Sequence, residues 1–312
     1  MTADAFRHQG LWVRERRPAG SPRGVVLFVH GATVGSVLFD LPLPGYSLLE
    51  ACAGAGWWSF ACDLRGYARS WRPLGMSLPG PAAPLVCSGE EAVHDAAAVL
   101  AEVRRRTGCD RPVLTGGSWG SITAARLAAA RPRELGGLVL LAPLFADINP
   151  DWLSALSDRA DPARLNPSLG GWRYVTLPDL LLRWDAEIEG DPAERRDARM
   201  PAAMFEAEQA ADPDCDRAEA FRAPNGTLHD LFEVFSGRPV YDPAAIQVPT
   251  VLLRGEHDGT ATASDLERLH ARLGARRKER LTIRGGGHFM QAERCAPRLQ
   301  RVLQEALDWL PA

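Results

Sequence analysis

The chain has 312 residues, 46% of them hydrophobic and 24% charged, enough for one large domain or a core domain with a sizeable insertion. A formal net charge of −3 without a long run of one sign argues against nucleic acid as a partner. No apolar run is long enough to cross a bilayer.

Short apolar runs alternate with helical patterns, the signature of an α/β protein with a doubly wound, mostly parallel sheet. After an N-terminal tail holding His8, the alternating LWVRERRP predicts an edge strand. GVVLFVHG (24–31) and WWSFACDLRG (57–66) predict buried strands. Residues 90–106 place Val93, Ala97, Leu100 and Val103 on one helical face, with Gly108 as the stop. PVLTGG (112–117) and LGGLVLLAPL (135–144) continue the strand series. The strands are nearly continuous in Val, Leu and Ile, as expected when helices cover both faces.

From about Ala146 to about Tyr241 the rhythm breaks, and no strand is predicted there. Prolines such as Pro150, Pro178, Pro201 and Pro224 punctuate short helical pieces rich in Trp and Phe. Aromatics at that density favour a packed helical lid over a disordered linker. The expected division is a core of 1–145 and 242–312, with a lid (cap) at 146–241. PTVLLRGEHD (249–258) and RLTIRGGGHF (280–289) then supply two more strands. Between them lies a helix (264–274) that a serine can cap and a glycine ends, and a last helix spans 297–310. The basic clusters Arg104 to Arg106 and Arg276 to Lys278 read as solvated helix ends.

The N-terminus lacks the apolar core of a secretory signal. The six cysteines, Cys52, Cys62, Cys87, Cys109, Cys215 and Cys295, show no CxxC and no metal-type spacing. Together these features predict a cytoplasmic protein with reduced, mostly buried thiols.

Gly116-Gly117-Ser118-Trp119-Gly120 fits G-x-S-x-G and stands between a strand, PVLT, and a helix, SITAARLAAA. Alone it is a tight turn containing a hydroxyl. Joining strand to helix, it lifts that hydroxyl above the sheet edge and makes Ser118 a candidate nucleophile. A serine needs a base, and among seven histidines His288 alone lies on a loop between a strand and a helix. His94 and His270 fall within helices, His229 within the expected lid, and His257 points away beside the acid. Asp258, just past a strand end, is the preferred orienting acid. Asp147 is the substitute, and Glu256 sits two residues off on the strand end. The oxyanion donors are expected to be the backbone N–H of Trp119 and that of Ala32, with Thr33 as backup and His30 bracing the loop.

These residues resemble the α/β-hydrolase superfamily along the whole chain. HGATVGS (30–36), DLRGYARS (63–70), GGSWG (116–120), GEHD (255–258) and GGGHF (285–289) carry the likeness. It is similar to the lid-bearing esterases, lactonases, thioesterases and aminopeptidases of that fold, with Ala68 where a glycine is usual. The resemblance implies a serine hydrolase that cleaves a carboxylic ester, lactone or thioester through a Ser118-His288-Asp258 triad and an acyl-enzyme. Ser118 stands where epoxide hydrolases and haloalkane dehalogenases have aspartate, and HGAT is not the HGGG loop of many lipases. A prolyl aminopeptidase would need lid acids to grip an amino terminus; Glu187, Glu189, Glu206, Glu208 and Glu233 are present but read as solvated faces. No metal or organic cofactor is implied. Phe39, Phe289 and the lid aromatics point to a small, largely apolar acyl substrate, with a carrier-bound acyl chain as another form. An acyltransferase, cyclase or biosynthetic thioesterase using the same serine, and a non-catalytic binding protein of the same fold, are the rival readings.

Overall fold

The computed structural model describes residues 2–310; Met1, Pro311 and Ala312 lie outside the described residues. The core strands are β1 (Thr2–His8), β2 (Leu11–Arg17), β3 (Gly24–Val29), β4 (Trp57–Cys62), β5 (Val113–Gly117) and β6 (Gly137–Leu141). They are interleaved with helices α1 (Leu48–Gly54), α2 (Gly89–Thr107) and α3 (Trp119–Ala130). The segment after β6 carries α4 (Pro150–Leu156), β7 (Trp172–Val175), α5 (Leu177–Asp185), α6 (Pro192–Arg195), α7 (Met200–Gln209), β8 (Phe221–Pro224) and α8 (Gly226–Phe235). The core then resumes with β9 (Thr250–Gly255), α9 (Ala263–Arg272), β10 (Lys278–Ile283) and α10 (Ala296–Trp309).

The eight-stranded sheet runs β1-β2-β4-β3-β5-β6-β9-β10. The β1–β2 and β2–β4 pairs are antiparallel and every later pair is parallel. Every residue of β4, β5, β6 and β9 is buried, which requires cover on both faces. The chain steps from β3 to β4 on one side and on to β5 on the other, so the crevice for a ligand opens at the carboxyl ends of β3 and β5. The α/β class expected from the sequence is the one observed.

Several local expectations are corrected. The residues before Leu11 form β1, which pairs with β2 along its length; β1 is the edge and β2 is internal. Its pairing partner begins after a two-residue turn at Gln9 and Gly10, both with positive φ, a hairpin signal that a polar sequence with one phenylalanine hides. At the far edge β10 exposes most of its residues, unlike the covered central strands. Helix α9 is capped by the Thr262 side chain rather than a serine, and it stops at Arg272, two residues short of Gly274. Arg276 and Arg277 therefore lead into β10, Lys278 opens it, and none of the three ends a helix.

The segment between β6 and β9 contains a two-stranded antiparallel sheet, β7 with β8, where no strand was expected. Four-residue strands with a proline at the end of one carry too short a pattern to read. Its aromatics pack: Trp184, Phe221, Phe232 and Phe235 are buried, and Trp152 stacks on Phe235 at 5.1 Å. No helix among the described residues is long and apolar enough to cross a membrane. All six cysteines are free, four of them buried.

Candidate active site

Ser118 sits between β5 and α3 at φ 54°, ψ −125°, outside the ordinary right-handed regions. The strain is held by close packing on either side. A Cβ on Gly120 would strike the carbonyl oxygens of Val29 and His30, and one on Gly116 the carbonyl of Gly120. Only glycines let α3 start so close to β3 and β5. The Ser118 N–H donates to the Leu141 carbonyl at 2.9 Å, which ties the turn to β6.

His288 lies on the loop after β10, 8% exposed, with Nε2 2.9 Å from Ser118 Oγ. Its Nδ1 is 3.0 Å from each carboxylate oxygen of Asp258. A carboxylate accepts, so Nδ1 carries the proton and Nε2 is left to accept from the serine hydroxyl. Asp258 is buried in the loop after β9, where the amides of Thr260 (3.0 Å) and Ala261 (2.7 Å) donate to its Oδ1. Arg254 Nη2 donates to the Asp258 carbonyl at 2.8 Å and holds that loop closed. Burial pulls the His288 pKa down, but the charge and hydrogen bond of Asp258, with the charge of Glu187, outweigh it and leave it above the ordinary value.

The other acids lie elsewhere. Asp147 accepts from Thr262 Oγ1 and from Arg268 Nη1 at 3.1 Å, facing α9 and not His288. Glu256 is exposed and accepts from the Gly285 N–H at 2.8 Å. His257, half exposed, lies 3.6 Å from Glu256. His8 pairs with Glu102 on α2 at 3.7 Å, far in the fold from Ser118.

Ala32 lines the cavity beside Ser118, on the turn that leaves β3. His30 explains how its amide is aimed. The Leu64 N–H donates to His30 Nε2 at 3.1 Å, so Nδ1 must be the protonated nitrogen that donates to the Gly31 carbonyl at 2.8 Å. Burial lowers the His30 pKa against the opposing charge of Asp63, so the ring is neutral and this tautomer persists. The Gly31–Ala32 peptide is trans, so with its carbonyl drawn to His30 the Ala32 N–H points the other way. Trp119 opens α3, and its fully buried indole donates to Asp230 on α8 at 3.0 Å, which commits the side chain away from Ser118. Ala68 adopts φ 39°, which costs about 1 kcal/mol for an alanine.

A cavity of about 400 Å³ lies over Ser118. Phe39 and Phe289 both line it, with Leu144, Trp152, Leu156 and Val175. Sequence reading did not single out the charged residues there, Arg173, Arg183 and Asp179. It also took Glu187 and Glu208 for solvated faces. Glu187 instead lies beside Asp258 and His288, and Glu208 is 1% exposed, accepting from the Gly35 N–H at 3.0 Å. Nothing in the local sequence separates these two from the exposed acids around them. Glu187, Asp258 and His288 are close enough together to hold a cation, yet Asp258 and His288 already bond each other, and Glu187 Oε1 is taken by Arg183 and Thr260.

The sequence family described as serine aminopeptidase, S33, matches residues 20–294. No curated protein sequence matches the chain. Among solved structures, it is similar to the 2-hydroxy-6-oxo-6-phenylhexa-2,4-dienoate hydrolase of Rhodococcus sp. strain RHA1, with TM-score 0.64 and 17% identity over 98% of each chain. It is also similar to the Paleococcus ferrophilus monoacylglycerol lipase (TM-score 0.59, 20% identity, 95% of this chain and 98% of that one). The thioesterase domain of the curacin biosynthetic pathway is a further likeness (TM-score 0.61, 16% identity, 97% and 98%). At such identities the likeness is one of fold.

Proposed function

The chain belongs to the serine aminopeptidase S33 family of α/β-hydrolase-fold enzymes, and we propose that it is a serine hydrolase cleaving a carboxylic ester, lactone or thioester. One observation carries this reading: the unbroken chain from Ser118 Oγ through His288 to a buried Asp258, at 2.9 and 3.0 Å, on the floor of a mostly apolar cavity.

In acylation the Ser118 oxygen attacks the substrate carbonyl carbon while its proton passes to His288 Nε2. The carbonyl oxygen becomes an oxyanion and takes hydrogen bonds from the Ala32 and Trp119 amides, each worth roughly 3 kcal/mol in the transition state. Asp258 holds the imidazolium in place. Collapse of the tetrahedral intermediate breaks the bond to the leaving alcohol or thiol, which takes the proton from Nε2. Water then repeats the sequence on the acyl-enzyme, with the same nitrogen as base, and releases the acid. The segment 146–241 acts as a lid: Trp152, Leu156, Val175 and Leu180 come from it and wall the cavity. Those walls suit an apolar acyl group.

The test is a panel of p-nitrophenyl esters of rising chain length with lactones, thioesters and aminoacyl amides, alongside fluorophosphonate labelling of wild type and Ser118→Ala. Labelling that vanishes in the variant, with turnover of an ester, lactone or thioester, is expected. Turnover confined to aminoacyl amides would replace ester hydrolysis with an aminopeptidase activity. A folded wild type that neither labels nor turns over any of the panel would refute the serine-hydrolase reading.

A further inference from the structure

Acylation separates charge: an oxyanion forms at one end of the reacting centre and an imidazolium at the other. Two charged side chains of the segment between β6 and β9 stand at those two ends.

Arg173, on β7, reaches across to the oxyanion loop. Its Nη2 donates to the Ala32 carbonyl at 3.2 Å and to Thr33 Oγ1 at 3.0 Å. Its Nη1 donates to Asn225 Oδ1 at 2.6 Å and to the Pro224 carbonyl at 3.2 Å. All four acceptors are neutral, and no ion pair to Arg173 occurs among the described residues. A half-buried guanidinium normally takes a carboxylate partner. Here the nearest carboxylate influence is Asp179, which acts through space and makes no ion pair, so the positive charge stays directed at the loop, one peptide away from the Ala32 N–H. Tyr67 adds a second clasp, donating its hydroxyl to the same Ala32 carbonyl at 2.9 Å.

Glu187 follows α5 and stands at the opposite end. One of its oxygens lies within 4.8 Å of both a His288 nitrogen and an Asp258 oxygen. Oε1 is held by Arg183 Nη1 at 2.6 Å and by the Thr260 hydroxyl. Oε2 is buried with no hydrogen-bond partner. Thr260 also donates its N–H to Asp258 Oδ1, so Glu187 and the triad acid share one knot. The charged groups acting on His288 are Asp258 from the β9 loop and Glu187 and Arg183 from the α5 side; Glu293 binds the N–H of the preceding Gly287.

We propose that the segment between β6 and β9 supplies part of the catalytic electrostatics: Arg173 orients and polarises the oxyanion loop, and Glu187 stabilises the imidazolium of His288. Both are positioning residues, acting through Ala32 and His288. Turnover then depends on this segment being docked, since its withdrawal removes a cation from the oxyanion end and an anion from the imidazolium end together. The inference rests on Ser118 being the nucleophile.

The experiment measures kcat, KM and the pH profile of kcat/KM on an ester that the wild type hydrolyses. The variants are Glu187→Gln, Arg173→Met and Arg173→Lys, each also checked by fluorophosphonate labelling and thermal unfolding. Glu187→Gln leaves Arg183 unbalanced beside the imidazole, and it should move the acidic limb down by about one pH unit. Arg173→Met should lower kcat about 100-fold with KM little changed, and Arg173→Lys should recover part of the loss. Should Arg173→Met fail to fold, Arg173→Gln carries the same expectation. An unshifted acidic limb in Glu187→Gln, or an Arg173 variant that raises KM while keeping kcat, as a mere grip on substrate would, overturns the proposal. A wild type that fluorophosphonate does not label removes its premise instead, so the two failures are distinguishable.

Discussion

Replacing Glu208 by glutamine should make stability less sensitive to alkaline pH. Glu208, on α7, is buried against the loop after β3, where Oε1 accepts from the Gly35 N–H and Oε2 has no partner. Asp63 converges on the same spot: a Cβ on Gly35 would lie 2.8 Å from Asp63 Oδ1 and 3.1 Å from Glu208 Oε1. Burial first, and then the charge of Asp63, push the Glu208 carboxyl up from 4.5 to about 8, against the Gly35 amide, Arg14 and Arg72. The folded state therefore binds this proton more tightly than the unfolded chain. Its contribution is complete below the unfolded value of 4.5 and is lost as pH rises through about 8. Between pH 5 and pH 9 the loss is about 4 kcal/mol as an upper bound, because α7 can loosen and admit water. Glutamine keeps an acceptor for the Gly35 N–H and does not titrate. Urea unfolding of both proteins at several pH values reads the difference, with wild type losing stability relative to Glu208→Gln as pH rises. Parallel curves from pH 5 to pH 9 would refute the reasoning.

Ser118→Ala and His288→Ala should each reduce kcat by roughly 10⁶-fold with unfolding curves close to wild type, read by burst and steady-state kinetics. Asp258→Asn should cost less, about 10⁴-fold, whereas Asp147→Asn should leave the rate nearly unchanged; the reverse ranking would move the acid role to Asp147. The acidic limb of kcat/KM should lie above pH 6.5, since activity needs neutral His288 and its pKa is raised. Gly120→Ala drives a methyl into the Val29 and His30 carbonyls and should destabilise by a few kcal/mol, with labelling of Ser118 slowed in whatever still folds.

Much of the site was legible because its parts lie at strand ends. Glycine before and after Ser118, GEHD after one apolar run and GGGH after another mark positions that a parallel sheet brings to one edge. The chain order then sorts them without knowledge of side-chain contacts. The same logic failed where pattern is short or where the partner is distant. β7 and β8 have four residues each, so periodicity cannot resolve them. Arg173 and Thr33 are 140 residues apart, and Glu208 and Gly35 173 apart. No local window distinguishes a glutamate that meets a buried amide from one that meets water.

Those distant contacts share a direction. Arg173, Glu187 and Glu208 all leave the segment between β6 and β9, and all land on loops at the carboxyl edge of the sheet. Arg173 holds Ala32 and Thr33, Glu208 holds Gly35 three residues on, and Glu187 meets the Asp258–His288 pair through Thr260. A segment serving only to exclude water would need apolar walls, and Trp152, Leu156 and Val175 already provide them. Sending one charged side chain into a buried site and two into half-buried ones is expensive unless each gains something from the loop it touches. For Glu208 the gain depends on a proton with a pKa of about 8, so alkaline pH should weaken the grip on the loop after β3 before the sheet unfolds. Hydrogen exchange at Gly35 and Ser36 would register this as faster opening in wild type than in Glu208→Gln at pH 9, with no difference at pH 6. Equal exchange at both pH values would detach Glu208 from the loop and leave its burial without a role.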